Sequence, residues 1–323
     1  MVVAANATTV QQGTAKRQEK LNRRKLRKRD LRLNWQVYLM ALPVIAYFII
    51  FNYVPMGGII MAFQNFSIRK GILGSQWVGF ANFIQYFQST YFFRTITNTL
   101  LISLYGILFS FPLPIVFALC LNELRHTHVK KLVQTISYLP HFISVVVVVA
   151  ILTDFCKDQG VLTMLAAAFG DKGGALISRP EWFRTLYIGS NLWQDLGYNS
   201  IIFISAITAI DQQLYEAAVI DGASRWQQTL HVTLPGIAST MVIMLILRIG
   251  QTMNVGYEKI ILMYSPSTYS TADVISSYVY RVGIQDANYS YSTAVNLFNS
   301  VVNFILLYAS NIFSRKFADT SLW

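Results

Sequence analysis

Among the polar side chains that interrupt two largely apolar runs, with Gln194, Asn199 and Asn254 nearby, six have spacings that place them on helix faces. Asn191, Asp195 and Tyr198 fall at i, i+4 and i+7, and Arg248, Gln251 and Thr252 at i, i+3 and i+4. Polar groups are costly inside a membrane, so each set is expected to face a cavity or a partner. The chemistry they offer is saccharide recognition. Amides hydrogen bond to hydroxyls, an aromatic ring stacks on a pyranose face, and the Arg248 guanidinium can hold a carboxylate through two parallel hydrogen bonds. A second reading stays open for the charged pair: Asp195 and Arg248 neutralise each other and merely hold two helices together.

A second constellation lies between those runs. Residues 215–235, YEAAVIDGASRWQQTLHVTLP, carry Glu216, Asp221, Arg225, Gln227, Gln228 and His231, which belong in water or against another protein. Glu216, Ala217 and Ala218 favour a short helix, Asp221-Gly222 breaks it, and Ser224 is placed to cap a second helix that stops before Pro235. The two alanines leave room for another surface to approach closely.

The elements that position both sets are membrane spans. A chain of 323 residues that is 54% hydrophobic and 13% charged reads as an all-α polytopic membrane protein. Runs at about 36–63, 95–121, 132–153, 186–210, 235–257 and 293–313 each meet the roughly twenty apolar residues a span needs, which predicts six spans. Ten Lys and Arg fall between Lys16 and Arg32, directly before the first span. This basic run predicts a cytoplasmic tail, residues 1–34, beside anionic lipid rather than a nucleic-acid site. Residues 35–323 then form the transmembrane domain, with both termini cytoplasmic and the loop 211–234 inside. Residues 1–15 are expected to be disordered. The first span reads as an uncleaved start-transfer helix, since no signal peptide precedes it.

Catalysis and metal binding find no support. No G-x-x-x-x-G-K-[ST] loop, H-E-x-x-H or G-x-S-x-G is present, so no catalytic residue is assigned. His126 and His128 lack a third ligand, so no metal site is assigned. Cys120 and Cys156 fall on opposite sides of the predicted membrane and form no bridge. Proline at 140 is expected to kink the third span, with His141 beside it as a packed, hydrogen-bonded side chain or a cavity residue. An ion-coupled secondary transporter or channel would also use Asp195 and Arg248, but it leaves the loop 211–234 without a role.

That loop resembles the EAA loop of membrane subunits of binding-protein-dependent ABC importers. Glu216, Ala217 and Ala218 supply the EAA and Gly222 the glycine. Val232-Thr233-Leu234-Pro235 supply the close, with Val232 where isoleucine is more usual. Together with N-Y-V-P-M at 52–56 and V-G-F-A-N-F at 78–83, the chain is similar to the carbohydrate-uptake class of type I ABC permeases. Within that class it resembles the maltose-type and LplB-like subgroups, among which an alginate-oligosaccharide permease would suit an arginine in the cavity. The resemblance implies a MetI-like fold of six spans with a cytoplasmic coupling helix. It implies that Glu216, Ala217, Ala218, Asp221, Gly222, Ala223, Arg225, Leu234 and Pro235 engage an ATPase, Glu216 as the polar anchor. It also implies a homologous second permease, two ATPase subunits that carry ATP and Mg, and an extracytoplasmic solute-binding protein. This chain itself would bind no cofactor, sit in the bacterial cytoplasmic membrane among lipid, and pass an oligosaccharide. A gap-free carry-over from the maltose-type site lands its asparagine and tyrosine on Asn191 and Tyr198. It puts Arg248 where that site has a small polar residue and Gln251 where it has an aromatic, a departure that fits an acidic saccharide.

Overall fold

The computed structural model describes residues 33–171 and 173–318. The expected disorder of residues 1–15 and almost all of the basic tail lie outside these residues. The described residues fall into two compact units, one up to Ile60 and one from Met61.

The first unit is a helix, α1 (Trp35–Phe48), continued by a widened turn over Ile49–Tyr53 and a short turn over Val54–Met56. It is apolar all round and buries none of its side chains within the chain, the pattern of a helix whose solvent is lipid. The widened turn ends just before Pro55. A loosened ladder is how a helix absorbs a residue without an N–H.

The second unit is built around one long helix. Ala81–Gln88 (α2) precedes Tyr91–Ser110 (α3) and Pro112–Glu123 (α4), and Thr127–Tyr138 (α5) leads into Val145–Cys156 (α6). The central helix, Pro180–Thr208 (α7), has 29 residues and packs against α3, α4 and α5. After the loop 211–234 come Ala238–Ile249 (α8), Tyr257–Met263 (α9), Ile275–Tyr280 (α10) and Tyr289–Ala318 (α11). A two-residue antiparallel ladder pairs Gln64 with Trp77 and Asn65 with Gln76.

Among the described residues, Trp35–Phe63, Tyr91–Glu123 and Tyr289–Lys316 are long and apolar enough to cross a membrane. Two bent pairs raise the number to five: Thr127–Phe142 with Val145–Cys156 at 98°, and Arg225–Gly236 with Ala238–Ile249 at 59°. The predicted fourth span corresponds to α7, which is too polar to pass on composition; its polar face is what lines the cavity described below. The proline kink in the third span is present, as a break at Ile143-Ser144 following a short turn over Leu139–Phe142.

Two close approaches fix α7. A Cβ at Gly197 would stand 2.3 Å from the Ser137 carbonyl oxygen, so only glycine lets α5 and α7 meet at that point. Toward the loop 211–234, Phe203 and Ile207 of α7 pack with Ile115, Ala118 and Ile237 in one buried cluster. At the opposite end Phe183, Tyr187, Ile260, Met263 and Val274 form another.

The predicted fifth span is the clearest departure. Its helix ends at Ile249 rather than continuing to Tyr257, so Gln251 and Thr252 lie past the helix and do not share a helical stripe with Arg248. Backbone groups released from a helix at this depth need partners, and side chains of neighbouring helices provide them. Thr252 O accepts from Ser103 Oγ, Met253 N donates to Asn303 Oδ1 at 3.3 Å, and Val255 O accepts from Ser276 Oγ at 2.9 Å. Asn299 Nδ2 donates to Asn254 Oδ1 at 3.1 Å, tying the same segment to α11.

A buried polar hub holds the segment after α9 in place. Asp273 is 0% exposed and accepts from Arg94 Nη2 at 2.9 Å, Arg281 Nη2 at 2.8 Å and Ser277 Oγ at 3.0 Å. Asn98 donates to the Asp273 carbonyl at 3.1 Å and accepts from Arg184 Nη2 at 2.8 Å, which brings α3 and α7 into the network. Removing one partner of such a buried cluster is costly, because the others remain desolvated.

Candidate functional site: a polar cavity and a coupling loop

A cavity of about 240 Å³ opens between α3, α7 and the unwound segment after α8. Asn191, Asp195, Arg248, Gln251 and Thr252 line it, joined by Ser103, Asn199 and Asn254. Five of the six side chains singled out in the sequence therefore meet at one surface, though Gln251 and Thr252 reach it from a turn. Tyr198 is absent from the lining. Its ring stacks on His141, with centroids 3.7 Å apart and planes at 5°.

The charged pair is resolved by distance. His141 Nδ1 donates to Asp195 Oδ1 at 2.9 Å, so Asp195 takes a partner other than Arg248. The Arg248 side chain makes no ion pair or hydrogen bond among the described residues, and its guanidinium reaches α3, where a Cβ at Gly106 would be 3.2 Å from Nη2. Glycine at this position leaves the arginine room to extend. A cation on a cavity wall that is not paired to the acid sharing that cavity is suited to an anionic ligand.

One member of the site escaped the sequence reading. Lys259, on α9 and only 5% exposed, donates to Asn191 Oδ1 at 2.7 Å and approaches Gln194 Oε1 at 3.4 Å. The bond occupies the Asn191 carbonyl oxygen, and the side chain also hydrogen bonds with Tyr187, another residue of the cavity wall. Gln194 is itself pinned, donating to the Ile143 carbonyl at 3.1 Å. Burial pulls Lys259 down to about 8, against a smaller upward pull from Asp195. The only signal in the sequence was a lysine two residues after an apolar run, which reads equally well as a solvated loop charge.

The loop 211–234 has its own architecture. Asp211 caps the helix Gln212–Ile220, accepting from Gln213 N at 3.0 Å. Gly222 then turns the chain with φ +78°, a left-handed conformation that favours glycine. Ser224 caps Arg225–Gln228 in a reciprocal capping box with Gln227. The second helix does not stop before Pro235. A widened turn over Thr229–Thr233 carries it through Leu234–Gly236, and the bend falls at Ile237, before α8 begins. The wide turn sits where Pro235 cannot donate, so the proline is absorbed inside the helix and not used as its end.

Two side-chain bonds make the loop one body. Tyr215 Oη and Thr233 Oγ1 lie 3.0 Å apart, joining its two helices, and Arg225 Nη1 donates to Glu123 Oε2 at 3.0 Å, joining it to the end of α4. Glu216, Ala217, Asp221 and Gly222 are exposed, with Ala218 and Ala223 half-buried. Leu214, Val219, Ile220 at 85% and Trp226 at 70% exposure surround them. Large exposed apolar side chains clustered in sequence with exposed polar ones on a loop suit contact with another protein.

The family model described as "Binding-protein-dependent transport system inner membrane component" matches residues 110–319, which contain α7, the loop and α8. The chain belongs to this family. As a permease component it resembles Protein LplB of Bacillus subtilis (strain 168), with 41% identity over 288 residues, 89% of this chain and 91% of that one. The "Polygalacturonan/rhamnogalacturonan transport system permease protein YteP" of the same organism is 42% identical over 89% of this chain and 90% of its own length. Among solved structures, a bacterial ABC transporter involved in the import of the acidic polysaccharide alginate contains a chain 43% identical to this permease. The match has a TM-score of 0.82 and covers 90% of this chain and 98% of that one. A chain of a bacterial alginate ABC transporter in complex with an alginate pentasaccharide-bound periplasmic protein is 42% identical, with a TM-score of 0.83 over 91% and 99%. The fold is the MetI-like permease fold.

Proposed function

We propose that this permease is the pore-forming subunit of an ATP-driven, binding-protein-dependent importer of acidic oligosaccharides. The observation that carries the substrate class is the Arg248 guanidinium, which stands on the cavity wall with no acid paired to it. The relatives point to the same chemistry, being named for polygalacturonan and rhamnogalacturonan and for alginate, all of which contain uronic acids. Asn191, Asp195, Gln251 and Thr252 meet the hydroxyls, and Arg248 the carboxylate. Tyr198 contributes by fixing His141 and through it Asp195.

ATP and Mg belong to two partner ATPase subunits, with a second permease completing the pore and a solute-binding protein delivering the sugar from outside. Both termini lie in the cytoplasm of the cell whose inner membrane holds the complex. Glu216, Ala217, Ala218, Asp221, Gly222 and Ala223 enter the ATPase cleft, Glu216 as anchor. Arg225, Leu234 and Pro235 carry the displacement into α8. Closure of the ATPases on ATP draws the loops together and opens the cavity outward; hydrolysis returns it inward.

The test is ATP-dependent uptake into proteoliposomes of the complete importer, comparing wild type with Arg248→Ala on uronate and neutral oligosaccharides of equal length. Loss of one charged hydrogen-bonding partner, about 1.5–3 kcal/mol, should lower uronate uptake about 10- to 100-fold and leave neutral sugars within about twofold. Equal losses on both sugars would remove Arg248 as a substrate ligand, and uptake without ATP would remove the importer.

A further inference from the structure

Beside the polar cavity, one helical turn closer to the coupling loop, lies a second chamber of about 270 Å³. The helix directions fix this order. Along α7 the chain runs from Asn199 to Phe203 toward the loop, and α8 runs from the loop through Met244 to Arg248. The two chambers share Ser110, Pro114, Asn199, Arg248 and Gln251, so they are consecutive and meet at Arg248.

The wall changes character across that junction. The upper chamber sets amides, hydroxyls and the Asp195 carboxylate among aliphatic side chains such as Ile102, Ile188 and Leu192; the lower has fewer polar groups and adds Phe111, Phe203, Met244 and Leu247. Phe111 and Phe203 meet edge to face, with ring centroids 6.3 Å apart and planes at 82°. On the shared wall Ser110 Oγ is buried and has no hydrogen-bond partner among the described residues. A sugar ring has hydroxyls at its edge and C–H groups on its face, so a donor-rich rim and an aromatic floor are complementary to it. Each chamber is smaller than the ~300–1,000 Å³ of a site that encloses a whole ligand. Successive rings of one chain would occupy the two in turn.

We infer that the lower chamber is a second saccharide subsite, which seats the neighbouring ring of an oligouronate whose carboxylate Arg248 holds, so that one cation serves two successive subsites. This rests on the importer reading above. Seating a second ring here adds binding in proportion to chain length and places the leading ring on the exit side before the permease opens inward.

The deciding experiment is equilibrium binding of mono-, di- and triuronates to the assembled transporter in nanodiscs, without its binding protein. Wild type should bind the diuronate about tenfold more tightly than the monouronate, the size of one ring seated on an aromatic floor. Leu247→Trp fills the lower chamber from an exposed position and should erase that gain while leaving monouronate affinity within about twofold. Phe203→Ala should act in the same direction, but Phe203 also belongs to a buried cluster, so the Leu247 variant decides. A gain that survives in Leu247→Trp, or a wild type with no gain from mono- to diuronate, overturns the second subsite and leaves the importer standing. A wild type that binds none of the uronates overturns both.

Discussion

The coupling loop and the cavity are built in opposite ways. Every feature of the loop is local: Asp211 caps two residues on, Ser224 and Gln227 cap each other three apart, and Gly222 turns the chain where it stands. The cavity takes its walls from α3, α7 and the segment after α8, and its polar set is completed by Lys259 and His141 from two further elements. An exposed surface of two short capped helices can be written in one contiguous stretch, whereas a chamber walled by several helices depends on tertiary geometry.

That contrast can be broken at its most rigid point first. Gly197→Ala puts a methyl 2.3 Å from the Ser137 carbonyl oxygen, a backbone atom that cannot rotate away. Overpacking of this kind costs about 1–3 kcal/mol or more. The expected result is loss of monodisperse complex on size-exclusion chromatography; a variant that assembles and transports normally would show that the cavity tolerates movement of α5. Gly222→Val is the counterpart in the loop. Nothing lies within 4 Å of the added Cβ, so its cost is conformational, roughly 1–2 kcal/mol for the left-handed backbone. The complex should assemble while sugar transported per ATP falls, and Gly222→Asn should retain most coupling, because asparagine tolerates that conformation.

A smaller effect is expected from the hidden lysine. With Lys259 pulled down to about 8, its charge is present below that pH and lost as pH rises through it. The ratio of uronate to neutral-sugar uptake should therefore fall across this range in wild type and stay flat in Lys259→Met; matching slopes would assign Lys259 to packing alone. Smallest of all is Arg225→Ala. Its pair with Glu123 is exposed on both sides, and such pairs contribute about 0.2–1 kcal/mol. Uptake should stay within about twofold, and a larger loss would move Arg225 from a brace to an ATPase contact.

How much the sequence disclosed follows the same division. Residues 215–235 announced two short helices, a glycine turn and a serine cap, all present; only the role of Pro235 differed, because the widened turn at Thr229–Thr233 leaves no trace in residue types. Asn191 and Asp195 were legible, as intervals of four on a real helix. Gln251 and Thr252 reached the cavity for another reason than spacing: the helix ends at Ile249, and Ser103, Ser276, Asn299 and Asn303 stabilise the released chain from elsewhere. Asp273 and Lys259 read as loop charges because their burial is set by elements far away in sequence: Arg94 and Asn98 lie on α3, Asn191 on α7.

The continuity from Arg225 through Gly236 into α8 has a thermodynamic consequence. The face proposed to meet the ATPase and the arginine proposed to meet the sugar lie on one stretch of chain with a single bend at Ile237. Two ligands that bias the same element obey reciprocity: whatever factor nucleotide imposes on affinity at Arg248, an occupied Arg248 must impose on nucleotide. A poorly fitting sugar would then tighten nucleotide binding less than a well-fitting one, so that selectivity appears in how firmly nucleotide is held as much as in what the cavity retains.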